Sequence, residues 1–138
     1  MKMTSLILLS LATSAGMMAQ TSAASTLSGT WVLQKDNAVK LTLQETGDKI
    51  HVQETKGGEV TANYTCNLDG KDCSFKEEGH AAKVSLWFNG PKLVELRTRG
   101  NEVTKRRFTV ADDGKSMEVE VLPISTPGKG ETLAYSRQ

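Results

Sequence analysis

Most of what a functional class requires is scarce in this sequence. Two cysteines and two histidines occur in 138 residues. Cys66 and Cys73 have no histidine at ligand spacing beside them, which makes a poor zinc site. His51 sits on the polar side of an alternating segment and His80 in a polar stretch, so each reads as a solvated side chain. No nucleophile, base and acid fall into a catalytic pattern, and no glycine-rich phosphate loop occurs. The chain therefore reads as non-enzymatic, with no catalytic residue, no metal and no cofactor. A charge excess of either sign is also missing, with 17 basic against 16 acidic residues. Such a balance gives no field to gather DNA, RNA or an anionic membrane, so nucleic acid is not an expected partner.

Long hydrophobic runs are absent too. The one apolar run, Leu6 to Ala15, is far below the ~18–20 residues of a bilayer-spanning helix. It follows Met1-Lys2-Met3 and precedes the small residues Thr21-Ser22-Ala23-Ala24-Ser25. Basic start, apolar centre and small-residue end make a secretory signal peptide. Cleavage can follow Ala19, Ala23 or Ala24. The expected organisation is a signal peptide over 1–24 and one domain over 25–138, secreted or periplasmic, with no membrane span. Loss of Lys2 with the leader makes basic and acidic residues equal in number. In an exported chain an even cysteine count reads as a disulfide. With Asp69-Gly70 as a two-residue turn, Cys66 faces Cys73 across a hairpin. That short loop makes the bridge worth ~2–3 kcal/mol.

What is plentiful is two-residue alternation, broken by turns that pair glycine with Asn or Asp. Thr30 to Lys35 is the first expected strand. Val39–Glu45 follows with Val39, Leu41 and Leu43 on one face, then Lys49–Thr55 with Ile50 and Val52 inward. In Val60–Asn67, Val60, Ala62, Tyr64 and Cys66 share a face. Phe75 to Ala82 reads as a polar loop. Lys83–Phe88, Lys92–Arg99, Glu102–Ala111, Ser116–Ile124 and Glu131–Arg137 complete the pattern, with Asn89-Gly90, Gly100-Asn101 and Asp113-Gly114 as hairpin turns. Short links favour an all-β antiparallel up-and-down barrel of about eight to nine strands, which leaves no long exposed edge.

The mature chain opens Leu27-Ser28-Gly29-Thr30-Trp31. A Gly-x-Trp entering the first strand of such a barrel resembles the lipocalins and the wider calycin group, which includes avidins and fatty-acid-binding proteins. The segments Leu68-Asp69-Gly70-Lys71 and Asp112-Asp113-Gly114-Lys115-Ser116-Met117 are similar to small exported lipocalin-like bacterial proteins. The resemblance implies that Trp31 closes one end of the barrel and that Arg137, near the end of the last strand, stacks on it. It also implies a binding protein for a small hydrophobic, amphipathic or anionic molecule. Tyr64-Thr65-Cys66 is similar to a segment of exported hydrolase inhibitors, which keeps a protein partner or an envelope structural role as the alternative.

Three hairpin registers place Val84, Leu86, Phe88, Leu93, Glu95, Arg97, Arg106, Phe108, Val110, Met117 and Val119 on one face. Most are apolar, so this is the expected interior, with Glu95, Arg97 and Arg106 inside it. Buried charge is costly unless paired. Either Glu95 pairs with an arginine as a structural network, or one arginine is left for an anionic ligand. A bulge would instead turn all three outward. The candidate ligand-binding residues are Arg97, Arg106, Glu95, Tyr64, Phe88 and Phe108, around a cavity also lined by Val84, Leu86 and Met117. Arg107 faces Glu120 on the outer side.

Overall fold

Alternation in this chain builds ten strands, one more than the pattern suggested. The computed structural model describes residues 26–138; the expected signal peptide and its cleavage sites lie outside the described residues. The strands are β1 (Gly29–Leu33), β2 (Val39–Thr46), β3 (Lys49–Lys56), β4 (Glu59–Asn67), β5 (Cys73–Glu77), β6 (His80–Asn89), β7 (Lys92–Arg99), β8 (Glu102–Val110), β9 (Ser116–Pro123) and β10 (Glu131–Arg137). Each pairs with the next, and β1 closes on β10, giving an antiparallel up-and-down barrel.

The additional strand is β5. The segment Phe75–Ala82, expected as a polar loop, is the β5–β6 hairpin, and His80 opens β6 rather than lying in a loop. Its charges hid the alternation, because Lys76 points to solvent while Phe75 is buried. Two further expectations shift. Asn89 pairs with Lys92, so Gly90-Pro91 is the turn, and Leu86 faces Glu95 instead of Leu93. That displacement is even, so the inner face keeps its membership. Val60 is 53% exposed rather than inward. The partner of Glu54 is Ala62 and that of Thr55 is Val60, leaving Thr61 as an extra, bulged residue that reverses the parity beyond it.

Between β4 and β5 the ladder is nearly absent, with Ala62↔Glu77 as its one register pair. The Cys66–Cys73 disulfide joins these strands, with Cα atoms 5.9 Å apart. It is not a cross-strand pair of a tight hairpin, since Cys73 pairs with Val84 on β6. The chain between the cysteines instead bonds to the β2–β3 turn and to β6. Leu68 N–H donates to the Asp48 carbonyl at 2.7 Å and Gly70 N–H to the Leu86 carbonyl at 2.9 Å. Ser85 Oγ donates to Asp72 Oδ1 at 2.8 Å.

One end of the barrel is plugged. Trp31 is fully buried and donates from Nε1 to the Leu27 carbonyl at 2.9 Å. The Arg137 guanidinium lies 4.2 Å from the Trp31 ring centroid. Arg137 also donates to the carbonyls of Gly114 and Ser28, both at 2.7 Å, and to that of Thr26. Gly29 makes room for this: its φ is +146°, and a Cβ there would collide with Arg137 Nη1. The opposite end is framed by the β1–β2, β3–β4, β5–β6, β7–β8 and β9–β10 connections and carries no helix among the described residues.

Gly29→Ala should therefore cost about 1–3 kcal/mol, the range for a strained backbone position. Urea unfolding measures it, and an unchanged midpoint would mean that Arg137 does not pack over Gly29.

Candidate functional site

The plugged half of the interior is solid. Leu41, Leu43, Ile50, Val52, Leu86 and Val119 are each at most 1% exposed. A void large enough for water would leave accessible surface on its walls, so these side chains pack against one another at interior density. The expected cavity lined by Val84, Leu86, Phe88, Phe108, Met117 and Tyr64 is consequently filled. Val84, Leu86, Phe108 and Met117 are buried in the core, and Tyr64 packs on Phe75 with ring centroids 4.4 Å apart. Phe88 sits at the end of β6 nearest the plug, packed on the core and apart from the charged residues.

Above this core lies an ionic layer. Glu95, 1% exposed, points inward from β7 opposite Arg106 of β8. Arg106 grips it from Nε at 2.9 Å to Oε1 and from Nη2 at 2.8 Å to Oε2. Arg97 Nε donates to Glu95 Oε1 at 3.1 Å, and Tyr64 Oη donates to Oε2 at 2.7 Å. Two further carboxylates complete the layer. Glu54 of β3 is 2.7 Å from Arg106 Nη2 and 3.2 Å from Arg97 Nη1. Glu77 of β5 is 2.8 Å from Arg97 Nη1. The guanidiniums also rest on rings, Arg97 5.4 Å from the Phe75 centroid and Arg106 5.0 Å from that of Phe108.

Sequence reasoning placed Glu95, Arg97 and Arg106 on the inner face but missed Glu54 and Glu77. The signal was there: each lies two residues beyond a buried inward residue, Val52 and Phe75. With three carboxylates on two arginines, the layer is a structural network, and both of its arginines are paired. Burial alone would raise the pKa of Glu95, but Arg106 and Arg97 outweigh it and hold the carboxyl down at about 2. Glu54 is lowered as well: burial pushes it up, and Arg106 and Arg97 pull it further down. Burial, with the Glu95 charge, pushes the Tyr64 hydroxyl well above its ordinary range.

Toward the open end the inner face remains polar. Arg97 pairs with Thr104, and Arg99 with Glu102 at the rim. Together with Glu77 and Arg106 they line a pocket of about 240 Å³. On the other side of Arg106 a second opening, about 210 Å³, is bounded by Val39, Glu54, Thr61 and Tyr135. Among the described residues no group of three or more His, Cys, Asp or Glu side chains is placed to hold a metal ion. Outside the barrel Arg107 meets Glu120 at 2.5 Å as a half-exposed pair. His51 bonds to Asn63 Oδ1 at 2.6 Å.

The chain forms a closed antiparallel barrel with one end plugged by Trp31 and the other open and polar, and comparison with solved structures finds the same fold. A fatty-acid-binding protein of Echinococcus granulosus matches at a TM-score of 0.66 and 14% identity, over 82% of this chain and 98% of its own. A Schistosoma mansoni fatty-acid-binding protein, solved with arachidonic acid, matches at 0.64 and 19%, over 84% and 98%. Secretory abundant heat soluble protein 4 of Ramazzottius varieornatus matches at 0.64 and 14%, over 82% and 95%. At these identities the likeness is one of fold. No family model matches the sequence, and no curated protein matches it.

Glu95 and Glu54 ionise more readily in the folded chain than in the unfolded one. Their contribution to stability is thus complete above the ordinary carboxyl value of 4.5 and lost as pH falls toward the folded value, about 2 for Glu95. Unfolding followed against pH should show a steep loss across that window. Glu95→Ala, which removes three arginine hydrogen bonds from the buried layer, should cost about 3–5 kcal/mol at neutral pH. A variant as stable as the parent would show that the layer contributes nothing.

Proposed function

We propose that this chain is an exported, non-catalytic binding barrel that takes a small ligand at its open end, above its packed core. One observation carries the reading: the inner face opens into a pocket over the ionic layer, where Arg97, Arg106 and Glu77 meet the rim residues Arg99 and Glu102. Small-molecule sites are concave and hold a few fixed polar groups, and this pocket has both properties. The arginines are held in place by Glu54 and Glu95, so little order is lost when a ligand docks on them. A protein of the same fold is known with arachidonic acid. Here Leu41, Leu43, Ile50 and Val52 occupy the barrel's interior with no accessible surface to spare for an acyl chain. Export is supported by the basic, apolar and small-residue order of residues 1–24 and by the Cys66–Cys73 bridge, a bond that persists in oxidising compartments.

A protein-interaction role, as an inhibitor or envelope factor, has less behind it. A contiguous exposed apolar patch would favour it, whereas the large apolar residues that are exposed among the described ones are Val60 and Ile124, on β4 and just after β9.

Titration of the isotope-labelled domain with oleate, followed by amide NMR, tests the site. The amides of Leu43, Val52, Leu86 and Val119 should stay unshifted. Saturable shifts at these positions would mean that the core opens around an acyl chain, and would replace the mouth site with an interior one.

A further inference from the structure

We infer that the mouth pocket selects a small zwitterion, a molecule with an ammonium and a carboxylate, over a bare anion or a bare cation. This rests on the mouth being the binding site. The hydrogen-bond inventory of the pocket carries the argument. Arg97 has every N–H engaged: Nε on Glu95, Nη1 on Glu54 and Glu77, Nη2 on Glu54 and Tyr64. Arg106 donates only from Nε and Nη2, which leaves Nη1 without a partner among the described residues. Glu77 accepts at Oε1 and has its second oxygen open. At the rim, Arg99 and Glu102 face each other in register, and neither makes a side-chain hydrogen bond or ion pair with any described residue. The pocket thus offers two cationic donors and two carboxylate acceptors that the fold leaves unused.

Its charge set is mixed, with Arg97, Arg99 and Arg106 against Glu77, Glu95 and Glu102 on its walls and Glu54 behind Arg97 and Arg106. A lone carboxylate docking on Arg106 would also meet Glu54, Glu77, Glu95 and Glu102, and a lone ammonium docking on Glu77 would meet three arginines. Like charges brought together at a desolvated site are strongly penalised. A ligand with both signs answers both halves at once. The pocket's volume, about 240 Å³, suits a molecule of amino-acid size rather than a lipid.

Titration calorimetry and amide NMR of the intact domain test this with glycine, γ-aminobutyrate and ε-aminocaproate, each beside the acid lacking the amine and the amine lacking the acid. At least one amino acid should bind about tenfold or more tightly than its two matched compounds, with shifts at Arg99, Glu102 and Thr104. Arg99→Gln and Glu102→Gln, which break no interaction within the fold, should each weaken it by about tenfold at unchanged thermal stability. Equal or tighter binding of a bare acid or amine at the mouth overturns the zwitterion but keeps the mouth as the site. No shift at the mouth with any of these compounds overturns the inference. If oleate then shifts the core amides, the mouth reading falls with it.

Discussion

A carboxylate that is 1% exposed inside a β-barrel persists only if its charge is answered on every side, and Glu95 is the point around which this interior is arranged. Two guanidiniums and a phenol fill its four acceptor positions. Those guanidiniums need further counter-charge of their own, which Glu54 and Glu77 bring from β3 and β5. Five strands are therefore tied through one cluster: β3, β4, β5, β7 and β8. Taking such charges out of water is expensive, and a well-packed apolar set could be as stable. The layer instead divides the barrel into a dry half below and a polar mouth above.

That division matters because a ten-stranded barrel is wider than an eight-stranded one, whose interior side chains just fill. Here the surplus space is taken up from two directions. Trp31, Leu27 and Arg137 close the plugged end, and large apolar side chains stack inward from them. The ionic layer then spans what remains. The seam between β4 and β5 is the weak line in the wall, since Ala62↔Glu77 is its single register pair. It is secured at both levels: by the disulfide near the plugged end and, near the mouth, by Arg97, which bonds both Glu77 of β5 and Tyr64 of β4. Solved barrels of the same fold at 12–19% identity show that the wall tolerates wholesale change of sequence. The wall needs only alternation and turns, whereas its contents depend on individual side chains.

Much of the fold was legible because alternation and turn chemistry are local. The β7–β8 and β8–β9 registers follow from Gly100-Asn101 and Asp113-Gly114, and with them the pairing of Glu95 with Arg106 and of Arg107 with Glu120. Where local signals misled, the cause is also physical. Lys76, Glu77 and Glu78 read as a loop because an inward glutamate breaks the apolar pattern, and its partner Arg97 lies 20 residues away in the chain. Val60 read as inward because a bulge leaves no mark in an alternating sequence. Asn89-Gly90 looked like the turn because that dipeptide tolerates positive φ, yet Gly90-Pro91 serves.

The sequence by itself determined that this is an all-β barrel with a Gly-x-Trp entry strand, that the two cysteines bond, and that Glu95 of β7 faces Arg106 of β8. Backbone periodicity and turn preference are properties of neighbouring residues, so they can be read along the chain. Only the tertiary structure decided that the barrel's lower half is full, that Glu54 and Glu77 complete the ionic layer, and that Arg106 Nη1 and the rim pair are left over. Those outcomes depend on which side chains from distant strands meet in the limited volume of a closed barrel, and no local pattern encodes that sum.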